Sequence, residues 1–239
     1  VHALDPWSGD QHPFLGYLAN AWRASGIEVA VVKGPQPDLP TSELLFAHLD
    51  LTVTPPEYVD YLRRFPRVVN GRVHDISKRA ISSNLLTPRE AYRGRVIVKT
   101  NMNYGGIPEL MLDAASGRNA MHHGSVQRPW RKVETLDPEE YPVFERLQDV
   151  PAGVWHNPHL VVEKFLPEID GELFSMRVAL FMGDLVRCGR SWSRSPIVKG
   201  ASIVRSEPIA TPAGFKAVRE RFGIDYGKID YVEHAGEIQ

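Results

Sequence analysis

The chain has 239 residues, enough for a sizeable core and for two or three compact subdomains. Its 28 Lys plus Arg nearly balance 29 Asp plus Glu, so no global field recruits nucleic acid or an anionic membrane. The single cysteine, Cys188, excludes an internal disulfide framework and a cysteine-rich zinc site, and fits a reducing, cytoplasmic setting. No apolar run approaches the roughly 20 residues that span a bilayer, and the opening VHALDPWSGDQHPF lacks the charged-then-apolar order of a signal peptide.

Apolar residues at helical spacing (Phe14, Leu15, Leu18, Trp22) predict a helix over 14–25, with Gly26 where a C-cap would fall. The β-branched run Ile27–Val32 reads as a buried strand, and Leu44–Val53 as another ending in Thr54-Pro55-Pro56. A helix over Glu57–Phe65 and a short strand at Val68-Val69 follow. Helix–strand alternation on this scale suggests a small α/β domain with parallel strands. His48 and Asp50 lie near the end of one such strand, where α/β folds place ligands, or else they make only local hydrogen bonds.

Past residue 75 the texture changes. Asp75 is placed as the N-cap of a helix beginning DISK. Arg95–Lys99 and Leu160–Lys164 read as strands, and the polar stretch Ser116–Pro158 between them is expected to be mobile. Within it Arg128, Trp130, Arg131 and Trp155 fit either an acidic or aromatic substrate or the ordinary packing of a lid. A turn is expected at Pro167–Gly171, then a strand opened by Glu172 and running to a Gly183-Asp184 hairpin. Strands then dominate, with one helix expected over Pro212–Phe222.

Four constellations carry chemistry. In VIVKTNMNYGG a strand delivers Lys99 beside a turn containing Gly105 and Gly106, where an ammonium and accessible N–H groups can meet phosphate oxygens; a surface lysine beside a hairpin is the alternative. Lys78, in the first turn of its helix, conflicts with the positive end of the dipole unless an anion lies nearby, though a solvated lysine serves equally well. The segment Glu163, Lys164, Phe165, Leu166 ends a buried strand and can act as a hinge around a planar ligand or as a plain β-turn-β unit. Arg177 and Arg190 sit on strands suited to carboxylate or phosphate recognition, and Asp230 interrupts an apolar strand, where it needs a cation partner, a metal, or water.

Taken in this order, these features resemble the ATP-grasp superfamily over residues 75–239, and residues 1–74 resemble the α/β domain that precedes it in such proteins. The resemblance implies an α/β plus α+β architecture: a small parallel-sheet pre-ATP-grasp domain (1–74), an ATP-grasp N-terminal lobe (75–162) and a C-terminal lobe (163–239). It implies ATP held between the lobes, with Lys78, Lys99, Gly105 and Gly106 on its phosphates, Glu163 to Leu166 framing adenine and Glu172 on the ribose. Arg177 and Arg190 would face phosphates or a substrate carboxylate, acting with Lys99 in catalysis, and Asp230 would bind Mg²⁺. The family activity is ligation of a small-molecule or peptide carboxylate to an amine through an acylphosphate. A kinase or a non-catalytic nucleotide-binding module on the same fold is the alternative. The family also supplies an acidic residue and an Asn as metal ligands on the strand after the one bearing Asp230; GEIQ reaches only the start of that strand, so a tail beyond Gln239 is expected to carry them.

Overall fold

The computed structural model describes residues 13–38, 42–115 and 129–239. Helix α1 (Pro13–Ala24) buries Leu15 and Ala19, one turn apart, and leaves Tyr17 in water. It ends as expected, Gly26 taking φ +81° and donating to the Arg23 carbonyl. Strand β1 (Leu45–Phe46), helix α2 (Pro56–Leu62) and strand β2 (Val68–Val69) follow. The two strands pair in parallel, Leu45 opposite Val68, above a cluster of Leu45, Ala47, Tyr61 and Leu62. Pro56 at the first turn of α2 costs nothing, because its missing N–H would have had no helical partner.

Two strand expectations fail here. Ile27–Val32 forms no strand: Ile27 is exposed, and the Val29 carbonyl accepts from Arg23 Nη2 at 2.8 Å instead of from a neighbouring strand. β-branched residues favour a strand only where another is present to pair with. Leu44–Val53 contracts to the two residues of β1, since Asp50 turns left-handed at φ +52° and leaves Val53 with only an isolated bridge to Asp75. That bridge also removes Asp75 from its expected N-cap role. Ser77 flanks the short helix α3 (Lys78–Ile81) instead, with no side-chain cap.

Strand β3 (Val96–Thr100) leads through a turn at Asn103–Gly106 into helix α4 (Ile107–Ala115). Then come β4 (Val143–Phe144), α5 (Ala152–Trp155), β5 (Leu160–Lys164), β6 (Glu168–Asp170), β7 (Leu173–Met182), β8 (Leu185–Ser193), β9 (Ile203–Ile209), α6 (Phe215–Phe222), β10 (Tyr226–Tyr231), β11 (Glu233–His234) and β12 (Glu237–Ile238). The described chain up to Asp75 forms one compact unit together with α4, and Ile76–Gly106 forms a second with everything from residue 129 on. Helix α4, expected inside the 75–162 lobe, thus groups with the first unit, where Glu109 accepts the Thr52 N–H at 2.6 Å.

The second unit holds two antiparallel sheets. In the first, ordered β4-β3-β5, Val98 lies opposite Val162 and Lys99 opposite Val161. One face (Val96, Val98, Leu160, Val162) packs into a core with Leu136, Leu147 and Val154, and by the two-residue period of a strand Lys99 and Glu163 share the other. Asn157 ties this core together: it donates to the Trp130 and Val133 carbonyls at 2.6 and 2.7 Å and accepts from His159 N–H. Trp130 and Trp155 pack against this core and Arg131 is exposed, while Arg128 lies outside the described residues.

The second sheet runs β10-β7-β8-β9, with β6 also on β7. Ala179, Phe181 and Cys188 face α6, where Phe215 meets Phe181 edge-on at 5.5 Å. The β7–β8 hairpin turns at Gly183-Asp184 as the sequence indicates. The expected turn at Pro167–Gly171 is instead mostly strand β6, and Glu172 occupies the β6–β7 turn rather than opening a strand. Among the described residues no helix is long and apolar enough to cross a membrane.

Gly105 has φ +67°, and a Cβ there would lie 2.9 Å from the Leu136 carbonyl oxygen; Gly171 has φ +61° with open space around it. Gly105→Ala therefore combines a left-handed penalty with a backbone clash and should cost about 3 kcal/mol in urea unfolding, against about 1 kcal/mol for Gly171→Ala. Equal losses would show that the close approach of Leu136 contributes nothing.

Candidate functional site

The site begins at the β3–β5 pair. Lys99 Nζ lies 2.6 Å from a Glu163 carboxylate oxygen, with the Glu163 side chain 7% and the Lys99 side chain 29% exposed. Burial by itself would push the Glu163 carboxyl up. The Lys99 ammonium outweighs it, with help from the Ser82 hydroxyl and the charge of Lys78, and the carboxyl sits below its ordinary value. Lys78, at the start of α3, donates to the Met102 carbonyl at 2.6 Å, so this first-turn lysine points back over the end of β3.

A fourth charge joins from the other sheet. Lys199, in the connection between β8 and β9, is half-buried, and burial pulls its ammonium below the ordinary lysine range. The charges acting on it are, in order, Asp230, Lys228, Lys99 and Glu139. Lys228 and Asp230 stand two residues apart on β10, on one face of the strand, with Nζ and carboxylate 3.1 Å apart. Lys199 therefore lies where the Lys99 face of the first sheet and the Asp230 face of the second come together. Its other neighbour is the Tyr104 ring, centred 5.8 Å from the ammonium. Tyr104 is half exposed and holds φ +43°, a left-handed conformation that is strained for a tyrosine.

Among the described residues no carboxylate approaches Lys199 within ion-pair distance. A cation–π contact contributes about 0.5–2 kcal/mol, less than the several kcal/mol that desolvating a charge can cost. The ammonium calls for an anion.

Arg177 and Arg190 stand elsewhere. They lie opposite each other on β7 and β8, on the α6-covered face with Ala179 and Cys188, whereas Lys228 and Asp230 occupy the other face of the same sheet. Glu168, 8% exposed, holds both: Arg177 Nε is 2.7 Å from one oxygen and Arg190 Nη2 3.0 Å from the other. Glu233 adds a 2.9 Å pair to Arg177, and Arg190 Nε donates to Ser175 Oγ at 2.9 Å. The two arginines lock β6, β7, β8 and the start of β11 together.

The remaining expected ligands divide. Lys164 N–H is taken by the Asn84 carbonyl and Phe165 N–H by the Arg95 carbonyl, both at 2.9 Å, and Arg95 covers the Phe165 ring at 5.1 Å. Among the described residues the Leu166 N–H is the hinge amide without a protein acceptor. Glu172 is exposed in its turn. Gly105 and Gly106 are buried against residues 135–138, so glycine serves close packing there. Asp230 has Lys228 as its partner, and the described residues contain no group of three His, Cys, Asp or Glu able to hold a metal ion. His48 and Asp50 belong to the first unit.

Sequence reasoning missed Lys199, Lys228 and Glu168. Lys228 was readable, since it shares a strand face with Asp230 by period two. Lys199 had no local signal beyond an apolar Ile197-Val198 pair before it. No protein-family model matches the chain, and no curated protein or solved structure is detectably similar to it.

Removing Lys99 leaves a buried carboxylate unpaired. Lys99→Ala should cost about 3 kcal/mol, the lower end of the range for a broken buried pair because Lys99 keeps part of its surface in water. Lys99→Ala combined with Glu163→Gln should recover most of that loss in chemical denaturation, and additive losses would contradict the pairing. Because the folded state holds the Glu163 carboxyl low, its contribution is fully present above the unfolded carboxyl value and is lost as pH falls through the folded one. Glu163→Gln should accordingly flatten the acid limb of a stability–pH profile.

Proposed function

We propose that this chain binds Mg·ATP in an ATP-grasp-like site and uses it to ligate a carboxylate to an amine. The observation that carries the reading is Lys199, a desolvated ammonium set among Lys99, Lys228 and Asp230 with no carboxylate in contact. Four lysines (78, 99, 199, 228) against Glu163, Asp230 and Glu139 leave a cationic surplus, which suits a polyphosphate. Fixed cations on a transferring phosphoryl group are also where this chemistry gains most.

In this reading Lys99 and Lys78 hold phosphate oxygens from the first sheet, while Lys199 and Lys228 hold them from the second. Mg²⁺ is commonly bound through one or two carboxylates plus substrate phosphates. Asp230 can supply one of these once Lys228 turns to a phosphate, so the residues present fit the ion in part. Magnesium would supply charge neutralisation between phosphates. Leu166 N–H is the free hinge donor for an adenine edge. Arg177 and Arg190 are assigned to holding the second sheet and not to catalysis. The substrates are a small-molecule or peptide carboxylate and an amine, and a reducing cytoplasmic compartment suits the free, buried Cys188.

A second reading is favoured by one observation: with Glu163 taken by Lys99, Asp230 and Glu139 are the carboxylates near Lys199, and the described residues hold no group of three His, Cys, Asp or Glu for a metal. A nucleotide-binding module without ligation needs no more than that. Production of ADP dependent on both a carboxylate and an amine separates the two, and ADP production with a phosphorylated product identifies a kinase.

Lys199→Met tests the site without the stability cost that confounds Lys99→Ala. The folded state disfavours the charged Lys199, so the variant should melt at or slightly above the parent temperature while binding Mg·ATP at least about tenfold more weakly in calorimetry. Unchanged affinity would end the assignment. An anion at the site raises the depressed Lys199 value, so binding should take up protons at alkaline pH and weaken as pH rises through the free-state value; the heat measured in buffers of different ionisation enthalpy checks this.

A further inference from the structure

Strand β9 is the outer strand of the second sheet, at the edge opposite β10, and six of its seven residues are exposed. An edge of this length with one side free is a template for another strand unless something blocks it. Pro208 is a partial block: lacking an N–H, it is tolerated where its nitrogen faces away from β8, on the free side. By alternation Ser206 then directs its N–H and C=O groups to the same free side, and a register shift against β8 between Trp192 and Ser193 ends the regular alternation at Val204.

The sequence along this edge has a dyad. Laid antiparallel on itself about Ser206, the segment Val-Arg-Ser-Glu-Pro sets Arg205 opposite Glu207 of a second copy, Glu207 opposite its Arg205, and Val204 opposite Pro208. Ser206 meets Ser206 as a pair exchanging two backbone hydrogen bonds. Glu207 has no cation partner among the described residues, because the arginine across from it, Arg190, is taken by Glu168. Arg205 keeps a half-exposed fork, stacked on Trp192 at 3.9 Å and 3.4 Å from Asp170, with further N–H groups to give. The net charge of −1 opposes the approach of two copies only slightly.

We propose that β9 pairs antiparallel with β9 of a second copy of this chain, centred on Ser206, to form a two-fold symmetric continuous sheet. The contact is small: a seven-residue strand buries less than a standard interface, so the dimer is weak and reversible. It lies at the sheet edge away from Lys228 and Asp230, and it does not rest on the nucleotide reading. Charge pairing across the dyad sets the register, since a slip by two residues puts Arg205 opposite Arg205 of the other copy.

The test is sedimentation velocity of the whole chain at concentrations up to roughly 1 mM, the range a weak interface requires. The parent protein should show a concentration-dependent dimer. Glu207→Arg and Arg205→Glu should each be monomeric alone, since each sets like charges across the dyad, while an equimolar mixture should form a heterodimer with both charge pairs restored. Ser206→Pro removes the two central hydrogen bonds at a position facing away from β8 and should also be monomeric, with an unchanged circular dichroism spectrum. It keeps the test decisive if Arg205→Glu, which loses the Trp192 stack, fails to fold. A parent that stays monomeric throughout, or a dimer that survives both Glu207→Arg and Ser206→Pro, overturns the proposal.

Discussion

The Lys99–Glu163 pair is the constraint around which the second unit is organised. It joins adjacent strands on the face of the first sheet that the core does not fill, and it lets a carboxylate remain ionised where burial opposes it. Two charges removed from water this way roughly offset their desolvation, so the pair adds little net stability. Its effect is positional. With Glu163 neutralised by Lys99 and Asp230 paired to Lys228, the half-buried Lys199 is left with no carboxylate in contact among the described residues.

The second sheet solves the same problem on its opposite face with opposite chemistry. Glu168 sits between two guanidiniums, and each guanidinium has another acceptor. Arginine suits that work because its planar fork meets a carboxylate edge-on and spares N–H groups for a second partner. Lys228, Asp230 and Arg187 share one face of this sheet, and Arg177 and Arg190 stand on the face turned toward α6. The one sheet thus has a satisfied side and a side with cationic capacity left over.

Elements held by local signals were legible in the sequence. The helices α1, α2 and α6 follow from apolar spacing and from proline and glycine punctuation, and β3, β5 and the β7–β8 hairpin follow from β-branched runs with a Gly-Asp turn between the last two. What failed depended on a partner distant in sequence. Ile27–Val32 has strand composition but no strand partner among the described residues, and Asp75 has cap chemistry but bridges to Val53. At the site, Lys99 and Asp230 were visible as charges in apolar settings, and Lys78 as a lysine in the first turn of a helix. The ion pairs of Arg177 and Arg190 with Glu168 had no local signal, because Glu168 lies in a segment that reads as a turn and reaches the arginines only through the β6–β7–β8 pairing.

The order in which the chain connects its strands bears on how the molecule assembles. Strands β7 and β8 meet through a two-residue turn, so they can pair as soon as both exist. Thr100 must wait for Leu160, and between them the chain leaves to build α4 into the other unit. Closing so long a loop is slow because its entropy is lost before any contact repays it. During synthesis, then, Lys99 and Glu163 remain separately hydrated until β5 has emerged, and the cationic sheet face is not whole until β10 has brought Lys228.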